Sequence, residues 1–322
     1  MGDFEIPWVE KYRPQVLEDV VGNERAIQQL NSIALQGNMP NLLLVGPPGC
    51  GKTTSIWCLA RQMLGDSVKQ GVCELNASDE RGIEVVREKI KAFAQQKVNV
   101  PPNMHKVIIL DEADSMTASA QQALRMIMTD YTNTTRFALA CNDSSKIIEA
   151  IQSRCAILRF TRLNDAEVLQ RLLRITDQES VTYDDKGMEA LVFTAEGDMR
   201  NAINNLQATV SAFNVVNFEN VFRVCDQPHP DLLKSVIQKC TEGQFTTAAD
   251  SLQVLWIQGY SPLDIIGSLY RVVTNFSMNE HMQLRYLKEI AVLRMRMLDG
   301  VCTLLQVHGC LAKLCEISLC QS

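Results

Sequence analysis

The chain has 322 residues, of which 46% are hydrophobic and 21% are charged, and its formal net charge at pH 7 is −6. This composition is typical of a globular protein with about two or three domains, and it excludes a disordered or fibrous chain. The acidic balance argues against a protein that coats nucleic acid through a generally basic surface. Any contact with nucleic acid is therefore expected from a local patch or from a larger assembly.

The first residues and the cysteines indicate a reducing compartment. The segment MGDFEIPWVEKYRP contains acidic side chains and no apolar run, and no long uncharged apolar stretch follows it, so we expect neither a secretory signal nor a membrane span. The eleven cysteines form no Cys-x-x-Cys pair, and the spacing of Cys310, Cys315 and Cys320 is unlike that of zinc ligands. We therefore expect reduced, mostly buried thiols in the cytosol or nucleus rather than a metal site.

Between about residues 40 and 160, apolar runs alternate with helical patterns. The runs lack the alternation of half-exposed strands, which predicts strands buried on both faces of a parallel sheet. The predicted strands are Leu42–Val45, Val72–Asn76, Lys106–Asp111, Arg136–Cys141 and Ala156–Phe160. The helical patterns between them are Lys52–Leu64, Ile83–Gln96 and Ser119–Thr129. This order predicts an α/β layer fold.

After about residue 161 the pattern becomes helical. Helix-capping residues stand ahead of amphipathic runs at Asn164, Asp185, Asp198 and Ser261-Pro262. A small helical domain is expected to end near Val224, with a linker bracketed by Pro228 and Pro230. We therefore predict three domains: an α/β core (1–161), a three-helix lid (162–226) and an all-helical C-terminal domain (227–322).

The loop after the first predicted strand matches the phosphate-binding pattern G-x-x-x-x-G-K-[ST]. Glycines let backbone N–H groups turn towards phosphate oxygens, and the following helix directs its positive end at them. Lys52 would supply a charge to the β- and γ-phosphates, and Thr53 a hydroxyl to Mg²⁺. Cys50 is expected to be inert, although its place near a helix N-terminus favours some acidification. The candidate nucleotide-binding residues of this segment are Gly46, Pro47, Pro48, Gly49, Cys50, Gly51, Lys52, Thr53 and Thr54.

The strand Lys106–Asp111 ends in two adjacent carboxylates. In a nucleotide-binding fold, Asp111 would hold the Mg²⁺ shell, and Glu112 would orient the attacking water. A solvated strand end is the alternative. The sequence from Asp111 to Asp114 also matches the DEAD-box helicase signature, but that family needs a second α/β domain, and the second half of this chain is helical by pattern.

Several segments together closely resemble the small subunits of replication factor C, the AAA+ clamp-loader family. The resemblance covers about the first 225 residues and continues more faintly into the helical C-terminus. The segments are PWVEKYRP (Pro7–Pro14), VGN (Val21–Asn23), GPPGCGKTT (Gly46–Thr54), ELNASDERGI (Glu74–Ile83), KVIILDEADSM (Lys106–Met116), QQAL (Gln121–Leu124), TRFALACN (Thr135–Asn142), SRC (Ser153–Cys155) and GDMRNAINNLQ (Gly197–Gln207).

The resemblance implies roles for further residues. Asn142 would be sensor 1, bonding the γ-phosphate and the water, and Arg200 would be sensor 2, reaching the phosphates from the lid. Arg154 would be an arginine finger that acts in trans on ATP held by the neighbouring subunit. Contacts to the adenine and ribose side are implied for Val9, Arg13 and Val21.

The resemblance also implies partners and a location. These are ATP with Mg²⁺, the other subunits of a heteropentamer joined through a C-terminal collar, the PCNA sliding clamp, and primer–template DNA, in the nucleus and without a membrane. DNA phosphates would be contacted by Arg81, Arg87, Lys91 and Thr117. For the three basic residues, a merely solvated helix face is the alternative.

The sequence departs from the family at two positions. Met126 follows Arg125 where these subunits usually carry a second arginine, which puts a relay between DNA or clamp and the ATP site in doubt. Ala150 replaces a usual proline. A nucleotide-bound structural subunit without hydrolysis remains an alternative to an ATPase, although the presence of Glu112 and Asn142 favours hydrolysis.

Overall fold

The computed structural model describes residues 6–77, 83–98, 104–225 and 227–319, with the backbone alone for 83–87. The chain divides into two compact units, Met1–Asn217 and Phe218–Ser322. The division of the first unit into a core and a lid stays a prediction. No helix among the described residues is long and apolar enough to cross a bilayer.

The first unit is built on a parallel sheet. Its five strands in the described part of the chain are β1 (Leu42–Val45), β2 (Val72–Asn76), β3 (Lys106–Asp111), β4 (Thr135–Cys141) and β5 (Ala156–Arg159). Their order across the sheet is β2-β3-β4-β1-β5. β4 begins one residue before the predicted strand, and β5 ends one residue earlier than predicted.

Neighbouring residues of the central strands face opposite sides of the sheet, as a strand requires. Leu42 and Leu44 lie in a core cluster with Ile56 and Leu59, whereas Leu43 lies in a second cluster on the other face. The prediction of burial on both faces is therefore right for β1, β3 and β4. It is wrong for the edge strands β2 and β5, whose side chains are mostly exposed or half-buried.

The helices of the first unit surround and follow the sheet. They are α1 (Trp8–Lys11), α2 (Glu24–Gln36), α3 (Lys52–Leu64), α4 (Val68–Gly71), α5 (Ile83–Gln95), α6 (Ala118–Asp130), α7 (Glu149–Gln152), α8 (Asp165–Glu179), α9 (Asp185–Ala195) and α10 (Met199–Phe213). A short parallel ribbon, β6 (Thr182–Tyr183) and β7 (Val215–Val216), joins the segments that follow α8 and α10.

A buried lysine fixes the end of α5. Lys106, which is 5% exposed, donates to the carbonyl oxygens of Phe93, Ala94 and Gln96 at 2.8, 2.6 and 2.7 Å. The last carbonyls of a helix lack intrahelical partners, and a cation at this end also interacts favourably with the negative end of the helix dipole. These bonds offset the cost of burying the ammonium group and tie α5 to the start of β3.

The second unit is helical. It contains α11 (Phe218–Val224), α12 (Pro230–Thr241), α13 (Phe245–Ile257), α14 (Pro262–Asn275), α15 (Glu280–Leu298) and α16 (Leu304–Leu319). Tyr286 is fully buried in its core and shares a 2.5 Å hydrogen bond with the Ser318 hydroxyl. Pro230 is the first residue of α12, so it belongs to that helix and not to the predicted linker.

The N-terminus of α10 packs on the loop that follows β1. The Asp198 carboxylate caps α10 by accepting from the Asn201 N–H at 3.1 Å, and the Met199 N–H donates to the Gly49 carbonyl at 3.2 Å. Gly49 has φ +67°, and a Cβ atom there would lie 1.7 Å from the nearer Asp198 oxygen. Only glycine satisfies both the backbone conformation and this close approach.

We expect Gly49→Ala to lower the free energy of unfolding by about 2 kcal/mol or more, because the methyl group displaces Asp198 in addition to straining the backbone. The control is Gly65→Ala, which shares a positive φ but has open space around it. Thermal unfolding of both variants measures the difference. Equal losses of stability would show that the contact with Asp198 has no energetic weight.

Candidate functional site

A cleft opens where β1, β3 and β4 end, at the carboxyl edge of the sheet, where open α/β folds bind their ligands. It encloses about 1110 Å³ of empty space, part of which is open to solvent. Four groups of residues line it. They are Val9, Glu10, Tyr12, Arg13, Pro14, Val20 and Val21; Pro48, Gly49, Cys50, Gly51, Lys52, Thr53 and Thr54; Asp111, Glu112, Cys141 and Asn142; and Leu163, Arg171, Met199, Arg200 and Ile203.

The loop between β1 and α3 presents free backbone donors to this cleft. Gly51, with φ +92°, precedes the first residue of α3, and no side chain among the described residues caps that helix end. Uncapped N–H groups at the positive end of a helix form an anion site. The sequence-predicted loop is thus shaped for phosphate oxygens.

Lys52 lies inside the loop and is only 8% exposed. Its ammonium group donates to the carbonyl oxygens of Gly46 and Pro47, both at 2.7 Å, and to Asn142 Oδ1 at 3.0 Å. Gly46 and Pro47 therefore contact the lysine and do not line the cleft. The bond to Asn142 brings the end of β4 beside the loop, as the pairing of β1 with β4 requires.

The structure agrees with the expectation that Cys50 is inert, and it does not show the acidification that a nearby helix N-terminus favours. Cys50 is 1% exposed, and its Sγ donates to the Pro47 carbonyl oxygen at 3.0 Å. Burial raises the pKa of this thiol, and the nearby Lys52 only partly opposes that effect. Burial likewise raises the pKa of Cys141, which lines the cleft, to about 11. Burial therefore disfavours the thiolate form of both cysteines.

Thr53 and Asp111 form a candidate Mg²⁺ site. The Thr53 hydroxyl donates to Asp111 Oδ2 at 2.8 Å, and the other carboxylate oxygen accepts from the Glu112 N–H at 2.9 Å. Mg²⁺ prefers oxygen ligands and is commonly held by one or two protein groups together with phosphates. One hydroxyl and one carboxylate beside a phosphate loop fit that pattern. The described residues contain no cluster of three or more metal-binding side chains.

The remaining predicted catalytic residues fall into two places. Glu112 is exposed, has φ +52° and lines the cleft, as Asn142 does. Arg200 also lines it from the first turn of α10, where the helix dipole disfavours a cation unless an anion lies nearby. Arg154 does not line the cleft. It is exposed and donates to the Ala150 carbonyl oxygen at 2.6 Å.

The predicted adenine-side residues Val9, Arg13 and Val21 line the cleft, as does Thr54. Four lining residues that were not predicted from the sequence are Arg171 on α8, Met199 and Ile203 on α10, and Leu163 just before α8. Met199 and Ile203 are four residues apart and flank Arg200 on α10, a spacing that signals one helix face. No local signal distinguishes Arg171 from other helix arginines, since only tertiary packing brings it to the cleft.

The candidate DNA contacts are incompletely placed. Arg81 lies outside the described residues, and the side chain of Arg87 is not described. Lys91 is exposed on α5, and Thr117 caps α6 by accepting from the Ala120 N–H at 3.4 Å. These contacts therefore remain predictions.

The departure at Met126 lies on the surface. Met126 is 53% exposed, so packing does not require methionine there. Burial does explain the glutamine five residues earlier. Gln121 is 2% exposed and bonds the Met116 and Lys146 carbonyl oxygens and the Ile148 N–H.

Comparison with known proteins places this site in a family. Residues 42–163 match the ATPase family associated with various cellular activities (AAA), and residues 228–313 match the replication factor C C-terminal domain. The Holliday junction branch migration motor RuvB of Thermotoga maritima has a similar fold. Its TM-score is 0.55 at 18% identity, over 75% of this chain and 85% of that one. This likeness concerns the fold alone.

The similarity to sequence relatives is much higher. The chain is 59% identical to replication factor C subunit 4 of Schizosaccharomyces pombe, over 97% of this chain and 92% of that protein. It is 58% identical to replication factor C subunit 2 of Arabidopsis thaliana, over 97% and 94% of the two chains. The replication factor C small subunit of the archaeon Staphylothermus marinus is 42% identical, over 96% and 94%. The chain therefore belongs to the replication factor C small-subunit family of AAA+ proteins.

Proposed function

We propose that this chain is an ATP-binding and ATP-hydrolysing small subunit of a nuclear replication factor C clamp loader. In this proposal it joins the other subunits of a heteropentamer. ATP drives opening of the PCNA sliding clamp and its placement on primer–template DNA, which the loader contacts through the phosphate backbone.

One observation carries the ATPase part of the proposal. Three groups meet at the uncapped N-terminus of α3. Lys52 bonds the Gly46 carbonyl oxygen of the loop and the Asn142 side chain, and Thr53 bonds Asp111. Phosphoryl transfer needs positioning and charge stabilisation more than covalent chemistry. A triphosphate on this loop would meet the ammonium group and helix end, Mg²⁺ would bind beside Thr53 and Asp111, and Glu112 would face the attacking water.

The position of Arg154 favours hydrolysis in the assembly. The cleft of a single chain contains the groups that bind nucleotide but not this arginine. An isolated chain is thus equipped to bind ATP and poorly equipped to hydrolyse it. If no neighbouring subunit supplies an arginine to this site, the same observation supports the alternative of a nucleotide-bound structural subunit. A DEAD-box helicase fits less well, because the described part of the second unit is helical and contains no second sheet.

Glu112→Gln separates the ATPase from the structural subunit. We expect the variant to bind ATP as the unchanged protein does and to lose about a hundredfold or more of hydrolysis at this site in the assembled complex. Lys52→Ala should abolish ATP binding, because it removes the positive charge that would face the phosphates. Equilibrium binding and single-turnover hydrolysis, with the other sites of the complex disabled, measure both effects. Undiminished turnover in Glu112→Gln would support the structural alternative.

Arg154→Ala tests the action in trans. In a complex where only the neighbour's site is active, we expect its turnover to fall by about a hundredfold or more with little change in ATP affinity. Hydrolysis at the variant's own site should be unaffected when only that site is active. Arg162→Ala, another exposed arginine that lies outside the cleft, is the control. A loss at the variant's own site alone would contradict the finger role.

The second unit supplies a candidate assembly face. Leu284, Met295 and Leu298 are 61%, 66% and 68% exposed on α15, opposite the buried Tyr286, Ile290 and Leu293. Their spacing places them on one stripe of the helix, and exposed apolar stripes mark interaction sites. Because residues 228–313 match the replication factor C C-terminal domain, we assign this stripe to another loader subunit.

Met295→Glu combined with Leu298→Glu should weaken incorporation into the complex by about tenfold or more, since a buried carboxylate replaces apolar contact. ATP binding by the variant should persist, because the cleft lies entirely in the first unit. Co-purification with the other subunits measures incorporation. Leu35→Glu, at an isolated residue that is 83% exposed on α2, is the control. Normal assembly of the double variant would refute this placement of the interface.

A further inference from the structure

We propose that Glu179 and Arg171 of α8 are positioning residues of the nucleotide site, because they hold the N-terminal strap that forms its adenine-side wall. The strap is defined here as residues 7–15, and it includes α1. Five of its residues line the cleft, namely Val9, Glu10, Tyr12, Arg13 and Pro14. The inference rests on the proposed function, since it concerns how the same cleft binds ATP.

Glu179 binds two consecutive strap residues through one oxygen atom. Its Oε1 accepts from Lys11 Nζ and from the Tyr12 hydroxyl, each at 2.5 Å. The Lys11 side chain is 49% exposed, so its ion pair contributes little in water. The Tyr12 bond is partly buried and has a charged acceptor, which makes it the stronger contact. Both bonds lower the pKa of Glu179 and keep it ionised.

Arg171 holds the strap from inside the cleft. Its Nη2 donates to the Tyr12 carbonyl oxygen at 2.6 Å, and the side chain is half-buried among the lining residues. One residue of the strap is thus fixed at both its hydroxyl and its carbonyl group by a single helix. α10 adds a third contact, in which Gln207 Oε1 accepts from the Trp8 N–H at 2.9 Å.

The other end of the strap is attached to a different element. The Pro14 carbonyl accepts from Cys58 Sγ at 3.3 Å, and the Gln15 side chain accepts from Arg61. Both partners lie on α3, the helix that begins at the phosphate loop. The strap therefore runs from α8 and α10 to α3, and Val9 and Arg13 line the cleft between these attachments.

Glu179 lies outside the cleft and acts only through the strap. A helix as short as α1 is unstable in isolation, so loss of these bonds would leave the first part of the strap less ordered before nucleotide binds. Ordering it at that moment would cost binding free energy. Removing these bonds should therefore lower the affinity for ATP and leave the rate of hydrolysis of bound ATP unchanged.

The test measures the dissociation constant of the full chain for a non-hydrolysable ATP analogue. We expect Glu179→Ala to raise it about tenfold and Tyr12→Phe by nearly the same factor, because the Tyr12 bond is the stronger of the two contacts and has a charged acceptor. The double variant should match Glu179→Ala alone, because both changes break the same contact. In the assembled complex, KM for ATP should rise while kcat stays within about twofold.

Two further variants make the outcome decisive. Asp177→Ala removes an equal charge from the same helix, where the side chain is exposed, and should leave the dissociation constant unchanged. A lower unfolding temperature for Glu179→Ala with unchanged affinity would show a purely structural role and overturn the inference. Lys52→Ala serves as the reference. If it still binds the analogue, the proposed nucleotide site itself is wrong; if it does not, an unaffected Glu179→Ala refutes the strap alone.

Discussion

The site depends on a buried cation whose hydrogen-bond partners, within the described part of the chain, include no carboxylate. Lys52 is almost fully enclosed, and its described partners are two carbonyl oxygens and one amide oxygen. Neutral oxygens satisfy its hydrogen-bonding groups but leave its charge uncompensated, which is costly in a partly dry environment. An anionic ligand removes that cost. The loop therefore gains most from a group that carries several negative charges, and this preference follows from the folded chain itself.

The strand order makes this arrangement possible. β1 lies between β4 and β5, and β3 pairs with β4 on its far side, so the lysine, the Asn142 amide and the Asp111 carboxylate meet at one edge. Ninety residues separate Lys52 from Asn142 along the chain, yet the parallel register brings them to 3.0 Å. Any slip of the β1–β4 register would separate them while leaving each local motif intact.

The local elements were predictable because each depends on nearby residues. The apolar runs, the phosphate loop and the capping residues of α8, α10 and α14 carry their signals within a few positions. The exposure of the edge strands β2 and β5 was not predictable, because their burial depends on which elements pack beside them. Cys50 shows the same limit: proximity to a helix end favours an acidic thiol, whereas the observed burial raises its pKa. Arg171 reaches the cleft only through the packing of α8.

The helical segments that follow the sheet touch the cleft at both ends of the space a nucleotide would occupy. At the phosphate end, the Met199 N–H bonds Gly49, and Asp198 lies against the same glycine. At the other end, Glu179, Arg171 and Gln207 hold the strap. A ligand that spans the cleft would therefore contact two regions attached to the same pair of helices, α8 and α10. Shifting those helices would change both regions at once, so the occupancy of the cleft and the position of the helices are thermodynamically linked. Under the proposed function, such a link would let bound ATP bias the position of both helices.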